Sequence, residues 1–267
     1  MNKNKDIWKP FEFVDDRSYF IRIGPLRLWM ERHDEEWFLA YDHQADEMGS
    51  TIVSKPSKGF IKKPDSISWH RIVATTDTNR ITLFPVMDEL PIVVGAEPPL
   101  IILPRNEALI FINVPVSIRI AAGTKKQVIL FELPSVVLSK TWVGSPVNGE
   151  LCLSLKTSAV RRKEYLTDKP NRVGCPVLIK NQSAKPLELE KLCVHTENLG
   201  IYLGENRLWT NKVVITHLGV NKNSEVRRVK GAPGMEENEL QVASPRIPAK
   251  DGIFRKSFDL FKILVEN

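Results

Sequence analysis

The chain has 267 residues, 42% of them hydrophobic and 26% charged, enough to bury one large or two modest cores. Its longest apolar stretches, PIVVGAEPPLIILP and ALIFINVPVSIRI, are broken by prolines, Asn113 or Arg119 well short of the roughly 20 apolar residues of a spanning helix, which excludes one. Net charge is +6, and it is unevenly placed: residues 1–150 carry 18 Lys/Arg against 19 Asp/Glu, and residues 151–267 carry 20 against 13.

The opening MNKNKDIWKPFEF has no apolar stretch of the kind a secretory signal needs, and the three cysteines include no CxxC pair. The expectation is a cytoplasmic protein with free thiols. From there the chain reads as short runs rich in β-branched and aromatic residues, separated by Gly, Pro, Asn and Asp. YFIRI (19–23) and LRLWME (26–31) flank Gly24-Pro25, and EWFLAY, ISWHRIVAT, RITLFPV and ALIFINV follow. VSIRI alternates cleanly, with Val116, Ile118 and Ile120 opposite Ser117 and Arg119. After QVILFEL, LCLSLK sets Leu151, Leu153 and Leu155 against Cys152, Ser154 and Lys156. PVLIKN, LELEKLCVH and KVVITHL complete the series.

This pattern predicts an all-β protein of two sandwich-like domains, of immunoglobulin or jelly-roll type. The turn-rich TWVGSPVNGE, where the charge balance also changes, places the boundary so that 15–145 and 146–231 are the domains. Residues 232–267 are then a linker and a terminal helix. In that last segment Asp251 suits an N-cap, and Phe254, Phe258, Phe261 and Val265 recur at helical spacing. Such a basic amphipathic helix packs on its own sheet or docks on a partner or an anionic surface.

The chain contains no Gly-rich phosphate loop ending in Gly-Lys-Ser/Thr, no GxGxxG, no HExxH and no GxSxG, so no catalytic residue is assigned and no cofactor is indicated. Cys193 and His195 are two apart and therefore share a strand face, opposite Leu192 and Val194, and Cys152 lies opposite its leucines. Cys152, Cys193 and His195, with Cys175 or His217, can form a thiolate–imidazole site of the zinc type. The competing expectation is ordinary sandwich core, since free cysteine is among the most buried residue types. ERHDEEWFLAYDHQADE (31–47) holds seven acids with His33 and His43, and reads as an acidic hairpin turn with divalent-ion binding or acid/base work as the alternative. Trp29, Trp37 and Trp69 read as core or interface.

The basic clusters containing Arg161, Arg162, Arg227 and Arg228 read as a solvated basic surface, with contact to an acidic partner or anionic surface as the alternative. The aromatic interleaving of a nucleic-acid platform is missing around them, so nucleic acid is not expected.

LSKTWVGSPVNGELCLSLKT, CPVLIKNQSAKPLELEKLCVH and GENRLWTNKVVIT, together with IGPLRLWMER and LIILPRNEALIFINVPVSIRI, resemble the prokaryotic, largely archaeal family catalogued as domain of unknown function 432. The resemblance implies a prokaryotic cytosolic protein and carries no catalytic positions. The residues themselves favour a binding or assembly module, homo-oligomeric or with a protein partner. The alternative is an enzyme or sensor that holds a metal or small ligand on the Cys/His strand face or the acidic segment.

Overall fold

A computed structural model of the chain describes residues 6–14, 17–44, 63–147, 149–219 and 224–248, with the backbone of 254–255 and 262–263. Among the described residues the fold is all β and sandwich-like, with four sheets and three 3-10 turns. Among the described residues no helix is long and apolar enough to cross a membrane.

The chain forms two compact units that interleave. One comprises Met1–Val86, Pro115–Val137 and Lys169–Asn171; the other comprises Met87–Val114, Leu138–Asp168 and Arg172–Asn267. The first opens with β1 (Phe11–Glu12), β2 (Tyr19–Ile23), β3 (Leu26–His33), β4 (Glu36–His43), β5 (His70–Val73) and β6 (Arg80–Val86). Of these, β2 to β5 form an antiparallel meander. The chain then enters the second unit with β7 (Ile92–Ile102) and β8 (Glu107–Pro115). It returns with β9 (Ser117–Ala122) and β10 (Val128–Pro134), which complete a sheet in the order β1-β6-β9-β10.

The remaining strands belong to the second unit: β11 (Ser139–Val143), β12 (Glu150–Leu155), β13 (Arg172–Asn181), β14 (Leu187–Val194), β15 (Ile201–Leu203), β16 (Leu208–Thr210), β17 (Val213–His217), β18 (Glu225–Arg228), β19 (Leu240–Ala243), β20 (Phe254–Arg255) and β21 (Lys262–Ile263). One sheet has the order β11-β12-β7-β14-β21. The other runs β19-β15-β16-β13-β17-β18-β20, with β8 also paired to β13.

Period-two burial holds these sheets to their cores. In β2, Tyr19, Ile21 and Ile23 are buried while Phe20 and Arg22 are partly open, the alternation of a strand with one face in a core. Trp29 and Trp37 are core, as their apolar neighbours suggested. Trp69 is half-buried, edge-on to Phe38 and under the Lys63 ammonium. Acidic Asp34 and Glu35 form the turn between β3 and β4.

Two expectations meet different structure. The stretch around residue 146 is the hairpin between β11 and β12, inside the second unit, where the Gly149 N–H donates to the Ser145 carbonyl at 2.8 Å. Its Gly, Ser, Pro and Asn residues specify a chain reversal, and a reversal carries no information on which sheet comes next. In the expected terminal helix, Phe254–Arg255 instead pairs with β18 and Lys262–Ile263 with β14. Backbone pairing to open strand edges overrides the helical spacing at those residues. Asp251, Phe258, Phe261 and Val265 lie outside the described residues.

Gly174 in β13 carries a close approach. A Cβ there would lie 2.6 Å from Cζ3 of Trp209, whose ring is buried against Phe111 and Leu166. Gly174→Ala is expected to lower unfolding free energy in urea by about 1–3 kcal/mol, the usual cost of overpacking. Unchanged stability would show that the indole shifts freely.

Candidate functional site

The central strand of the five-stranded sheet is β7, parallel to β12 on one side and antiparallel to β14 on the other. Its registers (Leu153 opposite Ile92, Cys193 opposite Val93, Thr141 opposite Cys152) place one set of side chains on one face. That set is Thr141 and Val143 from β11, Glu150, Cys152 and Ser154 from β12, Val93 and Gly95 from β7, and Lys191 and Cys193 from β14. The opposite face carries Leu153, Leu155, Ile92, Val94, Leu192 and Val194, all buried.

At one end of this face the thiols of Cys152 and Cys193 lie 3.8 Å apart, in a cluster with Val93 and Val143. Glu150 joins them: its Oε1 is 4.0 Å from the Cys193 sulfur, and the Cys152 sulfur is 3.7 Å from the Glu150 carbonyl. One ligand atom from each of Glu150, Cys152 and Cys193 lies within 4.8 Å of the other two. His195 follows β14 directly, with Nε2 3.2 Å from Glu150 Oε1 and Nδ1 3.0 Å from Glu197 Oε1.

The 3-10 turn Thr196–Asn198 folds Glu197 back onto the ring, and the Thr196 hydroxyl donates to the Leu90 carbonyl just before β7. Glu197 is 8% exposed, and its Oε2 has no hydrogen-bond partner. Orphaning a buried acceptor costs about 1–3 kcal/mol, and more for a charged one.

The electrostatics follow from this crowding. Burial above all, then the neighbouring Cys152 and the Glu150 carboxylate, pushes the Cys193 thiol far above the ordinary thiol range. Without a cation the Cys193 thiol is therefore held protonated and inert.

Cys175 and His217 stand elsewhere, on β13 and β17 of the other sheet, and neither belongs to the metal-capable group found among the described residues. Burial pushes the Cys175 thiol up to about 12, against the opposing pull of a hydrogen bond with Thr210. Cys175 is core, as one of the two readings had it.

The basic clusters are partly used as internal ties. Arg161 donates to the Leu109 carbonyl and Arg228 to that of Asn198, whereas Arg162 and Arg227 are exposed. In the acidic segment His33 and Glu31 are 3.7 Å apart, and His43 Nε2 lies 2.7 Å from the Pro134 carbonyl oxygen. Sequence reasoning missed Glu150 and Glu197, although the signal was present. Each is two residues from a singled-out partner, Cys152 or His195.

All three thiols are buried. With a thiol at about 12, roughly one Cys175 in ten thousand is ionised at pH 8, since only the thiolate attacks. Native protein is thus expected to resist alkylation at pH 8 and to release three reactive thiols in denaturant. Fast native labelling of any one of them would contradict this burial.

No characterised protein and no solved structure was found to match the chain. The family model described as "Protein of unknown function (DUF432)" matches residues 7–262, and the chain belongs to that family.

Proposed function

We propose that this protein is a metal-binding module whose centre is Glu150, Cys152 and Cys193, with His195 holding the Glu150 carboxylate from outside. The observation that carries this reading is the separation of the two sulfurs. Two thiolates bound to one tetrahedral zinc ion at about 2.3 Å stand about 3.8 Å apart, and the thiols of Cys152 and Cys193 are separated by 3.8 Å.

Two sulfurs and a carboxylate are donors that suit a borderline-soft divalent ion such as zinc, and not calcium or magnesium. On binding, each ligating thiol gives its proton to solvent, and the cation neutralises charge that is otherwise costly to bury. A disulfide fits less well. Cys152 and Cys193 belong to strands on opposite sides of β7, two ladder spacings or about 9.5 Å apart, whereas a disulfide needs Cα atoms within about 7 Å.

The Glu150–His195–Glu197 chain supports the same reading. A carboxylate that ligates metal is itself held by an outer partner, and losing such a partner typically weakens metal binding about 10- to 100-fold. A cytoplasmic setting, where thiols stay reduced, suits such a centre. A protein or homo-oligomeric partner suits the edge strand β11, beside which Trp142 and Val147 are exposed.

Zinc titration against a chromophoric chelator is expected to give one site per chain. Cys152→Ser and Cys193→Ser should lose it, His195→Ala should weaken it about 10- to 100-fold, and Cys175→Ser should leave it intact. Undiminished binding in the Cys152→Ser, Cys193→Ser double variant would refute the assignment.

A further inference from the structure

The same face of the sheet continues away from the thiols into an open groove of about 380 Å³ that shares Val93 and Val143 with them. Strand parity carries the change in chemistry. Two residues beyond Cys193 along β14 is Lys191, and Ser154 and Lys156 follow Cys152 along β12. Gly95 follows Val93 in β7 and lies directly opposite Lys191.

Gly95 supplies no side chain, so the floor between the flanking strands is hollow. A Cβ built there meets nothing nearer than the Glu190 carbonyl oxygen at 3.9 Å. The loop after β12 closes one wall: the Ala159 N–H donates to the Gly95 carbonyl at 3.0 Å, and Thr157 and Ser158 line the groove.

The lining is polar and directed. Lys156 and Lys191 are exposed, and among the described residues neither ammonium has an ion-pair partner. Thr141, Ser154, Thr157 and Ser158 line the same groove. Trp142, between Thr141 and Val143 in β11, pairs with Leu151 and so belongs by parity to the other face, its indole N–H donating to the Ser145 carbonyl at 3.1 Å. Glu97 is the one acid in the lining.

We infer that this groove binds a small, hydroxyl-bearing phosphomonoester. Two lysines act as point charges for a phosphate, and the hydroxyls donate to its remaining oxygens. The Glu97 carboxylate accepts from a ligand hydroxyl. The volume suits one small molecule, at the lower end of the usual range of about 300–1,000 Å³. This inference goes beyond the metal reading and does not depend on it, because the two sites use different polar residues.

The test is calorimetric titration of the full chain with ribose 5-phosphate, with ribose as the uncharged control. Saturable binding of the phosphorylated sugar alone is expected. Lys156→Gln and Lys191→Gln should each weaken it at least about tenfold, the worth of one charge-assisted hydrogen bond.

Gly95→Leu should abolish binding by filling the groove. The backbone has room for that side chain, and the two lysine variants alter only exposed ammonium groups, so they report even if the leucine variant is unstable. No saturable binding at millimolar sugar phosphate, equal binding of ribose, or binding untouched by both lysine substitutions would overturn the inference. Zinc content of the same samples reports separately on the thiol cluster, so failure of either site is recognised on its own.

Discussion

The double pairing of β7 is the constraint on which the rest of this structure depends. With β12 running parallel on one side and β14 antiparallel on the other, three distant segments are locked into one parity. That parity sends Ile92, Val94, Leu192 and Val194 to the core and Cys152 and Cys193 to the other face. Each fully buried aliphatic side chain contributes about 1.5–3 kcal/mol. A one-residue slip would exchange the two faces, so the leucines and valines hold the thiols in register. A crowded, partly unsatisfied polar cluster persists because the opposite face of the same strands over-determines its position.

β7 is also the element hardest to read in the sequence. Pro98 and Pro99 look like strand breakers, and IVVGAEPPLII scans as an interrupted apolar run. The structure accommodates them at a bulge, where pairing with β14 skips from Lys191–Gly95 to Leu189–Leu100. The prolines thus fall where no ladder hydrogen bond is required of them. Strands with plain alternation in sequence, such as Tyr19–Ile23 and Glu150–Leu155, were legible because their periodicity is local.

The alternation that sets Cys193 opposite Leu192 and Val194 was likewise legible from spacing alone, whereas His195 lies past the end of β14. Which strands lie side by side was not, because sheet order depends on pairings between residues far apart in the chain. This is why spacing alone grouped Cys152 and Cys193 with Cys175 and His217, which the fold assigns to another sheet. It is also why the two units interleave across a sequence whose turns suggested one clean boundary.

The two ends of the polar face divide the chemistry by burial. Near Val143 and His195 the side chains are largely withdrawn from water, and there lies the cation site we propose. Toward Lys156 and Lys191 the sheet opens, and the charges are of the sign that attracts anions. The most direct measurement of the central claim is X-ray absorption at the zinc edge on zinc-loaded protein. The account predicts two sulfur scatterers at about 2.3 Å and the remaining neighbours nitrogen or oxygen at about 2.0–2.2 Å. A shell without sulfur, or one of four sulfurs, would contradict it.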